Sequence, residues 1–346
     1  MFDKRLLAAA GAVLLMVFAA PPHARGEEEK KVLEVGRWYP SVESGINLTQ
    51  SYYSTNWSGG DRGSIAWTFI TNATLENQLD PKVNWLNTLK AAFGQTHQQE
   101  VDEDGDRRWD LPEKSTDQLS FETIARFTLG AFVDPFVAGY FETQFRDMSD
   151  PNDRPLSFNP LRFKESAGIA RQFYKTENRE LLSRVGFAVR QNSRRFFVAE
   201  TGRETESETT SDGGLEWVTD QKMKLLSDRI AWTSKLTLNQ PLFYSGQEDL
   251  DALRPDSLIA HGVDPDIADF PKTVDIDFEN IFTNQISKLL SVNLYTRLVY
   301  DKYDNSVKPM LGLAGEPANP EALRMAVRKS GQFKQTLTVG VTYRFL

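Results

Sequence analysis

Histidine offers this chain its most direct route to catalysis. His261 lies between Ser257 and Asp264, and His97 lies near Asp102. Ser–His and Asp–His pairs activate nucleophiles in hydrolases, but such pairs are defined by position in space rather than by nearness in sequence. No nucleophile motif accompanies either histidine, and the chain of 346 residues has no cysteine, which excludes thiolate catalysis. The sequence therefore predicts no catalytic residue, and hydrolysis stays an alternative.

Acidic side chains form the next candidate sites, in this case for metal ions. Residues 102–106 resemble the start of a calcium-binding loop, but Arg107 stands at the sixth position, where an EF-hand requires glycine. Residues 244–272 carry seven carboxylates against Arg254 and Lys272. Oxygen-rich loops of this kind bind divalent cations or are simply solvated. We favour the solvated loop, so the sequence predicts no metal site and no cofactor.

The overall composition excludes several classes of protein. A charged fraction of 25% and an aromatic fraction of 11% are typical of a folded chain. The net charge of -8 argues against a nucleic-acid partner. No run of about eighteen apolar residues occurs beyond the N-terminus, and the mean hydropathy is -0.45. A membrane protein built from helices is therefore excluded.

Residues 1–26 have the features of a secretory signal peptide. Lys4 and Arg5 precede an apolar run over residues 6–20, and small residues allow cleavage near Gly26. An uncleaved membrane anchor is the alternative, but the apolar run is shorter than the roughly 20 residues that a spanning helix needs. We therefore predict an exported chain.

Apolar and polar side chains alternate with a period of two along the rest of the chain. In the segment 273–286, for example, Ile276 and Phe278 alternate with Asp277 and Glu279. This period is typical of β-strands whose two faces have different surroundings. The predicted strands lie near residues 45–56, 64–78, 83–97, 115–129, 133–146, 165–175, 181–194, 213–225, 229–243, 273–286, 289–303 and 332–345.

The connections between these segments alternate in length. Short turns are followed by long polar loops at residues 98–114, 147–164, 195–212, 244–272 and 304–331. An even number of strands joined in this way is typical of a bacterial outer-membrane barrel. The predicted fold is all-β, a closed antiparallel transmembrane β-barrel of about 12 strands with short periplasmic turns and long extracellular loops. A soluble β-sandwich or lipocalin-like barrel also alternates, but the signal peptide and the unequal connections favour the membrane barrel.

Charged residues within the strands of such a barrel must face the lumen. A cation on the lipid face costs about 2–4 kcal/mol at the bilayer midplane. The polar faces carry ten basic and eight acidic side chains, a near balance that gives no strong ion preference. These charges either pair across the lumen and close it or line a narrow pore. The candidate lumen-lining residues are Lys90, Glu122, Arg126, Glu142, Arg184, Arg190, Asp220, Lys222, Lys235, Asp277, Glu279 and Arg297.

The last strand resembles the signal that outer-membrane proteins present to the barrel-assembly machinery. Gly340 is followed by the aromatic residues Tyr343 and Phe345, although Leu346 stands at the last position, where an aromatic residue is usual. An exposed terminal strand can template edge pairing with that machinery. We therefore predict two partners, the assembly machinery and the outer-membrane lipids, including lipopolysaccharide. The oligomeric state stays open.

The segment between the first two predicted strands resembles a known motif. Asn56, Trp57, Gly59 and Gly60 are similar to the N-W-x-G-G-G motif of an uncharacterised family of outer-membrane barrels, with Asp61 in place of the third glycine. The resemblance extends over about residues 45–340 and implies the fold and the outer-membrane location, but no substrate. Glycines permit the positive φ of a tight turn, so a structural turn is the simpler interpretation and a ligand contact is the alternative.

These features together predict an integral protein of the outer membrane of a Gram-negative bacterium. Residues 27–44 are predicted to form a periplasmic segment and residues 45–346 the barrel. The predicted role is a small channel or pore for polar solutes. A structural or interaction barrel with a closed lumen and an outer-membrane hydrolase are the alternatives. The loops 244–272 and 304–331 are long enough to fold inward as a plug.

Overall fold

The protein is described by a computed structural model that covers most of the chain. The predicted signal peptide, the motif residues Asn56, Trp57, Gly59 and Gly60, and the assembly-signal residue Phe345 lie outside the described residues. The described residues are 33–52, 62–101, 107–150, 152–176, 178–199, 201–226, 229–287 and 290–344. Within these ranges, no helix is both long enough and apolar enough to span a bilayer.

Strands dominate the described chain. They are β1 (Trp38–Ser51), β2 (Ser64–Asp80), β3 (Val83–Val101), β4 (Arg107–Trp109), β5 (Glu113–Phe127), β6 (Asp134–Thr143), β7 (Arg146–Asp147), β8 (Leu156–Ser157), β9 (Leu161–Lys175), β10 (Arg179–Phe197), β11 (Thr205–Leu225), β12 (Ile230–Tyr244), β13 (Asp275–Gln285), β14 (Leu290–Tyr300) and β15 (Gln332–Arg344).

Twelve of these strands form one closed antiparallel sheet. Its order is β1-β2-β3-β5-β6-β9-β10-β11-β12-β13-β14-β15, and β15 pairs again with β1. This closure confirms the predicted 12-stranded barrel. The three short strands lie outside the ring, where β4 pairs with the end of β3 and β7 pairs with β8.

The barrel has a polar inner face and an apolar outer face. Residues that pair across an antiparallel ladder lie on the same face, so the register assigns each side chain to one side of the wall. Lys90 pairs with Asn72 on one neighbouring strand and with Ser120 on the other, all on the inner face. Its neighbour Leu89 pairs with Phe121, and both side chains are exposed on the outer face.

The barrel begins earlier than the sequence predicts. β1 starts at Trp38, so residues 38–44, which we assigned to a periplasmic segment 27–44, belong to the barrel wall. Pro40 obscures the alternation there, because proline is unfavourable in the middle of a sheet. The structure tolerates Pro40 because β15 first pairs with β1 at Glu43, so that β2 is the only neighbour of β1 at Pro40 among the described strands.

The predicted loop 195–212 is largely a hairpin rather than a loop. β10 continues to Phe197 and β11 starts at Thr205, and these two residues pair. The sequence does not reveal this extension because a strand whose two faces both meet water requires no alternation of apolar and polar side chains.

The two longest connections fold together as a cap over one mouth of the barrel. We define the cap as residues 245–274 and 301–331. It contains α1 (Gln247–Asp251), α2 (Pro255–Ala260), a 3-10 helix (Ile267–Lys272) and α3 (Pro320–Ala326). Together with Tyr244, a shared apolar core joins the two segments: Leu250, Leu253, Leu258, Val263, Ile267, Phe270, Tyr303, Leu323 and Ala326.

Candidate functional site: the charged lumen

The register places the twelve candidate lumen residues on the inner face of the barrel. Lys235, Glu279 and Arg297, for example, are paired in succession across β12, β13 and β14. Two cavities occupy the lumen, an outer one of about 350 Å³ beneath the cap and an inner one of about 220 Å³. The candidates that line the outer cavity are Lys90, Glu122, Glu142, Arg190, Lys235, Asp277, Glu279 and Arg297.

Four of the candidates form an ion-pair hub that crosses the lumen. We define the hub as Glu122, Arg184, Asp220 and Lys235. Arg184 Nη2 lies 2.9 Å from Glu122 Oε1 and 3.3 Å from Asp220 Oδ2. Lys235 Nζ lies 2.8 Å from Glu122 Oε2 and 3.8 Å from Asp220 Oδ1. Since β5 and β12 are five strands apart in a ring of twelve, Glu122 and Lys235 connect nearly opposite walls.

The hub is balanced in charge and deeply placed. The side chain of Arg184 is 3% exposed. A charge removed from water in this way is tolerated when it is paired and hydrogen-bonded, and is strongly unfavourable when a partner is lost. The two cations and the two carboxylates of the hub pair with each other. The hub therefore fixes the distance between the strands that carry it.

A second pair crosses the lumen in the other direction. Lys90 Nζ on β3 lies 3.4 Å from Glu279 Oε2 on β13, which is again five strands away. Both side chains are partly exposed, at 37% and 25%. Both also line the outer and the inner cavity. This pair therefore stands where the two cavities meet.

The two cavities differ in chemistry. The outer cavity is surrounded mainly by charged side chains of the barrel and of the cap. The inner cavity is surrounded mainly by neutral hydrogen-bonding groups. Its hydroxyl and amide side chains are Asn47, Thr68, Asn72, Thr116, Gln118, Thr283, Asn293, Tyr295, Thr336 and Thr338.

Cap residues form part of the lining of the outer cavity. Arg328 of the cap donates a hydrogen bond to Asp301 and another, of 2.8 Å, to Asp304. Burial raises the pKa of Asp301 to about 7, and the charges of Asp275 and Asp304 add to this against the attraction of Arg328. For Asp304, hydrogen bonds from Ser306 and the charge of Arg328 outweigh burial and lower the pKa. These hydrogen bonds within the cap therefore involve two carboxyl groups whose pKa values are shifted in opposite directions.

Arg190 connects two strands just below the cap. Its Nε lies 2.5 Å from Asp212 Oδ1 on β11, and its Nη1 lies 2.9 Å from Asp275 Oδ2 on β13. Asp212 was missed by the sequence interpretation because it directly precedes the predicted strand 213–225. Asp212 stands two residues before Gly214 and four before Glu216. Because alternate residues of a strand share a face, extending the strand to Asp212 predicts this side chain on the inner face.

Two more pairs form on the inner face around the outer cavity. Arg297 donates two hydrogen bonds to Asp277, of 2.9 and 2.7 Å, in a bidentate arrangement. Glu142 accepts hydrogen bonds from Tyr140 at 2.5 Å and from Arg162 at 3.3 Å. These pairs connect residues of the same or adjacent strands and do not span the lumen.

The remaining two candidates lie outside both cavities. Arg126 donates a hydrogen bond of 2.7 Å to Gln172, and the side chain of Arg126 is almost completely buried. Lys222 is 61% exposed and lies 3.9 Å from Glu180. Lys222 is therefore an inner-face lysine without a role in either cavity.

Two lysines of β9 that pair with acids on other strands were not among the candidates. Lys164 precedes the predicted start of this strand at residue 165, and Lys175 is its last predicted residue. Lys164 donates to Glu216, and Lys175 Nζ lies 2.5 Å from Glu76 Oε1 on β2. Arg171 had obscured the pattern of this strand. The structure places Arg171 on the outer face, with its guanidinium 3.6 Å from the ring centre of Phe132 and donating to the Phe132 carbonyl oxygen.

The histidines do not form a catalytic arrangement in the described part of the chain. His261 Nδ1 lies 2.8 Å from the carbonyl oxygen of Ser257, not from its hydroxyl group. His97 lies in β3, opposite Ile65. In the described ranges no imidazole hydrogen-bonds to a carboxylate, and no three His, Asp or Glu side chains are arranged to share a metal ion. The acidic residues 102–106 lie outside those ranges.

Comparisons with known proteins give a family match and several distant structures. Residues 48–147 match a family described as "Protein of unknown function (DUF3078)". No curated protein matches the sequence. Since the match covers less than half of the chain, it describes the first part of the barrel.

Solved barrels align over most of the chain with little sequence identity. The translocator domain of the autotransporter NalP from Neisseria meningitidis is 8% identical, covers 98% of this chain and 96% of its own, and has a TM-score of 0.33. The COG4313 outer membrane channel from Pseudomonas putida F1 is 10% identical, with coverages of 93% and 99% and a TM-score of 0.36. The NanC porin is 8% identical, with coverages of 88% and 98% and a TM-score of 0.31. These scores are low, and the barrel is defined by its own strand pairing.

Proposed function

We propose that the chain is an integral barrel of the outer membrane of a Gram-negative bacterium. Its outer face carries the apolar side chains, and its charged ladders face inward. Trp85 donates a hydrogen bond of 2.8 Å to Thr123, and Trp232 donates one of 3.1 Å to Asn280, all on the outer face. Indoles with one apolar side and one hydrogen-bonded end are typical of the headgroup region of a bilayer.

The proposed location includes export by the signal peptide and contact with lipopolysaccharide at the loop end. Fractionation of cells tests it directly, because the folded protein should appear in the outer-membrane fraction. The mass of the mature chain should correspond to cleavage near Gly26. Recovery in the periplasmic or cytoplasmic fraction, or an uncleaved N-terminus, would contradict the proposal.

We further propose that the barrel is a narrow channel for small polar solutes. The observation that carries this proposal is the arrangement of the two lumen cavities, which meet at the Lys90–Glu279 pair. A contact of 3.4 Å between two partly exposed side chains is the kind of barrier that side-chain movement opens. The hub and the cap narrow the rest of the lumen, so the structure corresponds to a constricted state.

The chemistry of the cavities favours neutral or zwitterionic solutes. The outer cavity is lined by both signs of charge, and the inner cavity is lined mainly by hydroxyl and amide groups. Neutral hydrogen-bonding groups replace water around a polar solute without selecting a charge. A solute with a large net charge would meet an opposing charge on one wall or the other.

Swelling of proteoliposomes in small neutral and zwitterionic solutes tests the channel. The variant Lys90→Ala should swell faster than the wild type, because it removes one side of the barrier between the cavities. Lys222→Ala is the matched control, since Lys222 is an inner-face lysine that lines neither cavity. Equal swelling rates for Lys90→Ala and Lys222→Ala would show that the Lys90–Glu279 pair is not the barrier.

A barrel with a closed lumen is the second candidate, and the ion-pair hub favours it. Glu122 and Lys235 connect nearly opposite walls at 2.8 Å. If such pairs seal the lumen, neither the wild type nor Lys90→Ala will admit any solute. The same swelling experiment therefore separates the two candidates.

A further inference from the structure

The seam between the first and last strands of the barrel is paired along only part of its length. β1 and β15 pair over five rungs that end at Asn47 and Gly340. Residues 48–51 and 332–339 continue as strands beyond this point, yet no pairing joins them to each other in the described chain. Each keeps its other neighbour, since β2 and β14 pair along these residues. Two open strand edges therefore face each other.

Side chains on both faces of the open edges are exposed. Leu48 and Leu337 point outward and are 59% and 67% exposed. Thr49 and Thr336 are on the inner face and are exposed as well. In a closed wall, only the outer side chains are exposed, because the inner side chains are covered by other side chains in the lumen. Exposure of both faces indicates a lateral opening in the wall.

The inner cavity lies directly behind this opening. Asn47, Thr336 and Thr338, from the two strands that border the opening, are part of its lining. The charged side chains around the cavity are two acids and two bases, so their formal charges cancel. They are Glu43, Glu279, Lys90 and Lys334.

The lower end of the opening is set by a close contact. At Gly340, a Cβ atom would lie 1.9 Å from Asn47 Oδ1. Only glycine lets the Asn47 side chain lie across β15 at the last paired rung. The opening therefore ends at a polar side chain on the inner face, whereas Ile46, Leu48 and Val339 provide apolar surface on the outer face.

We propose that this lateral opening binds a single-chain amphiphile with a neutral or zwitterionic head. The head occupies the inner cavity among hydroxyl and amide groups, and the chain passes between the open edges into the apolar band. Unpaired strand edges are unfavourable in a bilayer, and an occupant of this shape covers them. The proposal goes beyond the channel, because it connects the lumen with the lipid rather than with the two aqueous sides.

Cysteine pairs test whether the seam is open, because the natural chain has no cysteine. Continuing the register from Asn47–Gly340 would bring Gln50 opposite Leu337. The pair Gln50→Cys and Leu337→Cys should therefore resist oxidation to a disulfide. The control pair Thr296→Cys and Gln335→Cys lies on a paired rung at the other edge of β15 and should oxidise readily. Equal oxidation of both pairs would overturn the opening.

Binding of lysophosphatidylcholine, measured by native mass spectrometry on the folded full-length protein, tests the occupant. The wild type should retain one bound molecule. Thr336→Trp and Thr338→Trp fill the inner cavity and should abolish retention, whereas Thr237→Trp, in the outer cavity, should not. Each variant is first shown to be folded by its heat-dependent migration in gels.

Besides equal oxidation of the two cysteine pairs, three outcomes would overturn the proposal. One is a wild type that retains no lysophosphatidylcholine, and another is retention that survives both inner-cavity variants. The third is a disulfide-linked dimer of the single variant Gln50→Cys or Leu337→Cys in membranes, because the opening would then be covered by a second copy of the chain. Channel activity is not needed for any of these measurements.

Discussion

Arg184 is the most deeply buried charge of the ion-pair hub. Its replacement by methionine keeps the apolar bulk but leaves Glu122 and Asp220 to share the single cation of Lys235. Breaking a buried pair in this way is expected to cost about 3 kcal/mol of unfolding free energy. Urea unfolding of the barrel in lipid bilayers measures it.

Lys222→Met is the control for that measurement. It also removes an inner-face cation, but one that is 61% exposed and 3.9 Å from its nearest carboxylate, so its loss should change stability little. Equal losses for the two variants would mean that the hub has no special contribution to the rigidity of the barrel.

Asp301 gives the cap a pH dependence. Its pKa is raised from 3.8 to about 7, so the native cap binds this proton more tightly than the unfolded chain does. The free energy of unfolding of the cap should therefore fall as the pH rises from about 4 to about 7. Asp304 has a lowered pKa, so its own effect lies below this range.

Hydrogen exchange of the cap amides, corrected for the intrinsic rate, tests this dependence. Protection should be greater at pH 5 than at pH 8, and Asp301→Asn should remove the difference. Charged groups near Asp301 are Asp275, Asp304, Arg190 and Arg328. Protection that increases with pH in the wild type would contradict the assignment.

At the scale of elements, the strands were largely predictable and their partners across the lumen were not. A period of two follows from the two faces of a strand and can be seen within ten residues. By contrast, Glu122 and Lys235 are 113 residues apart, and Lys90 and Glu279 are 189 apart. No local pattern encodes which inner charges meet, because that depends on shear and closure of the whole barrel.

The cap illustrates a different limit of sequence interpretation. Its three α-helices have five, six and seven residues. Helices of this length are not stable by themselves and form only when packing supports them. The loops 244–272 and 304–331 were long enough to predict a plug, but their apolar residues are too scattered to reveal a shared core.

Leu323 should be the residue on which that core depends. It is completely buried in the cap, whereas Met325 in the same helix is 77% exposed. Leu323→Ala should therefore destabilise the cap by about 2–5 kcal/mol, and Met325→Ala should have little effect. Limited proteolysis measures this, since the cap of Leu323→Ala should be cut while the barrel remains heat-modifiable. If the cap of Leu323→Ala resists proteolysis as well as that of Met325→Ala, the cap does not depend on its own apolar core.

The last strand should carry the assembly signal. Gly340 and Tyr343 lie in β15, with Tyr343 exposed on the outer face, while Phe345 lies outside the described residues. If the barrel-assembly machinery recognises this end, Tyr343→Ala should lower the amount of folded barrel in the outer membrane. Phe333→Ala, an equally outward aromatic at the start of β15, should not. If both variants lower the amount of folded barrel equally, Tyr343 contributes only to stability and not to recognition by the assembly machinery.

At the scale of the whole molecule, the barrel combines a hydrogen-bonded wall, which closes through the five paired rungs between β1 and β15, with a lumen that is crowded but not filled. Two cavities of about 350 and 220 Å³ remain after the hub, the crossing pairs and the cap are in place. Opposite charges hold the walls together, and neutral groups line the inner cavity. If the barrel is the proposed channel, this balance of charges predicts no strong preference for ions of one sign, despite the net charge of -8 of the whole chain.

Single-channel conductance in planar bilayers tests this central claim most directly. The double variant Lys90→Ala with Glu279→Ala removes the barrier without changing net charge, and Lys222→Ala with Glu180→Ala is the matched control. We expect small, infrequent steps from the wild type and the control, and larger or more frequent steps from the Lys90 and Glu279 variant. The absence of current steps from all three proteins, each shown to be folded, would contradict the channel and leave a closed barrel.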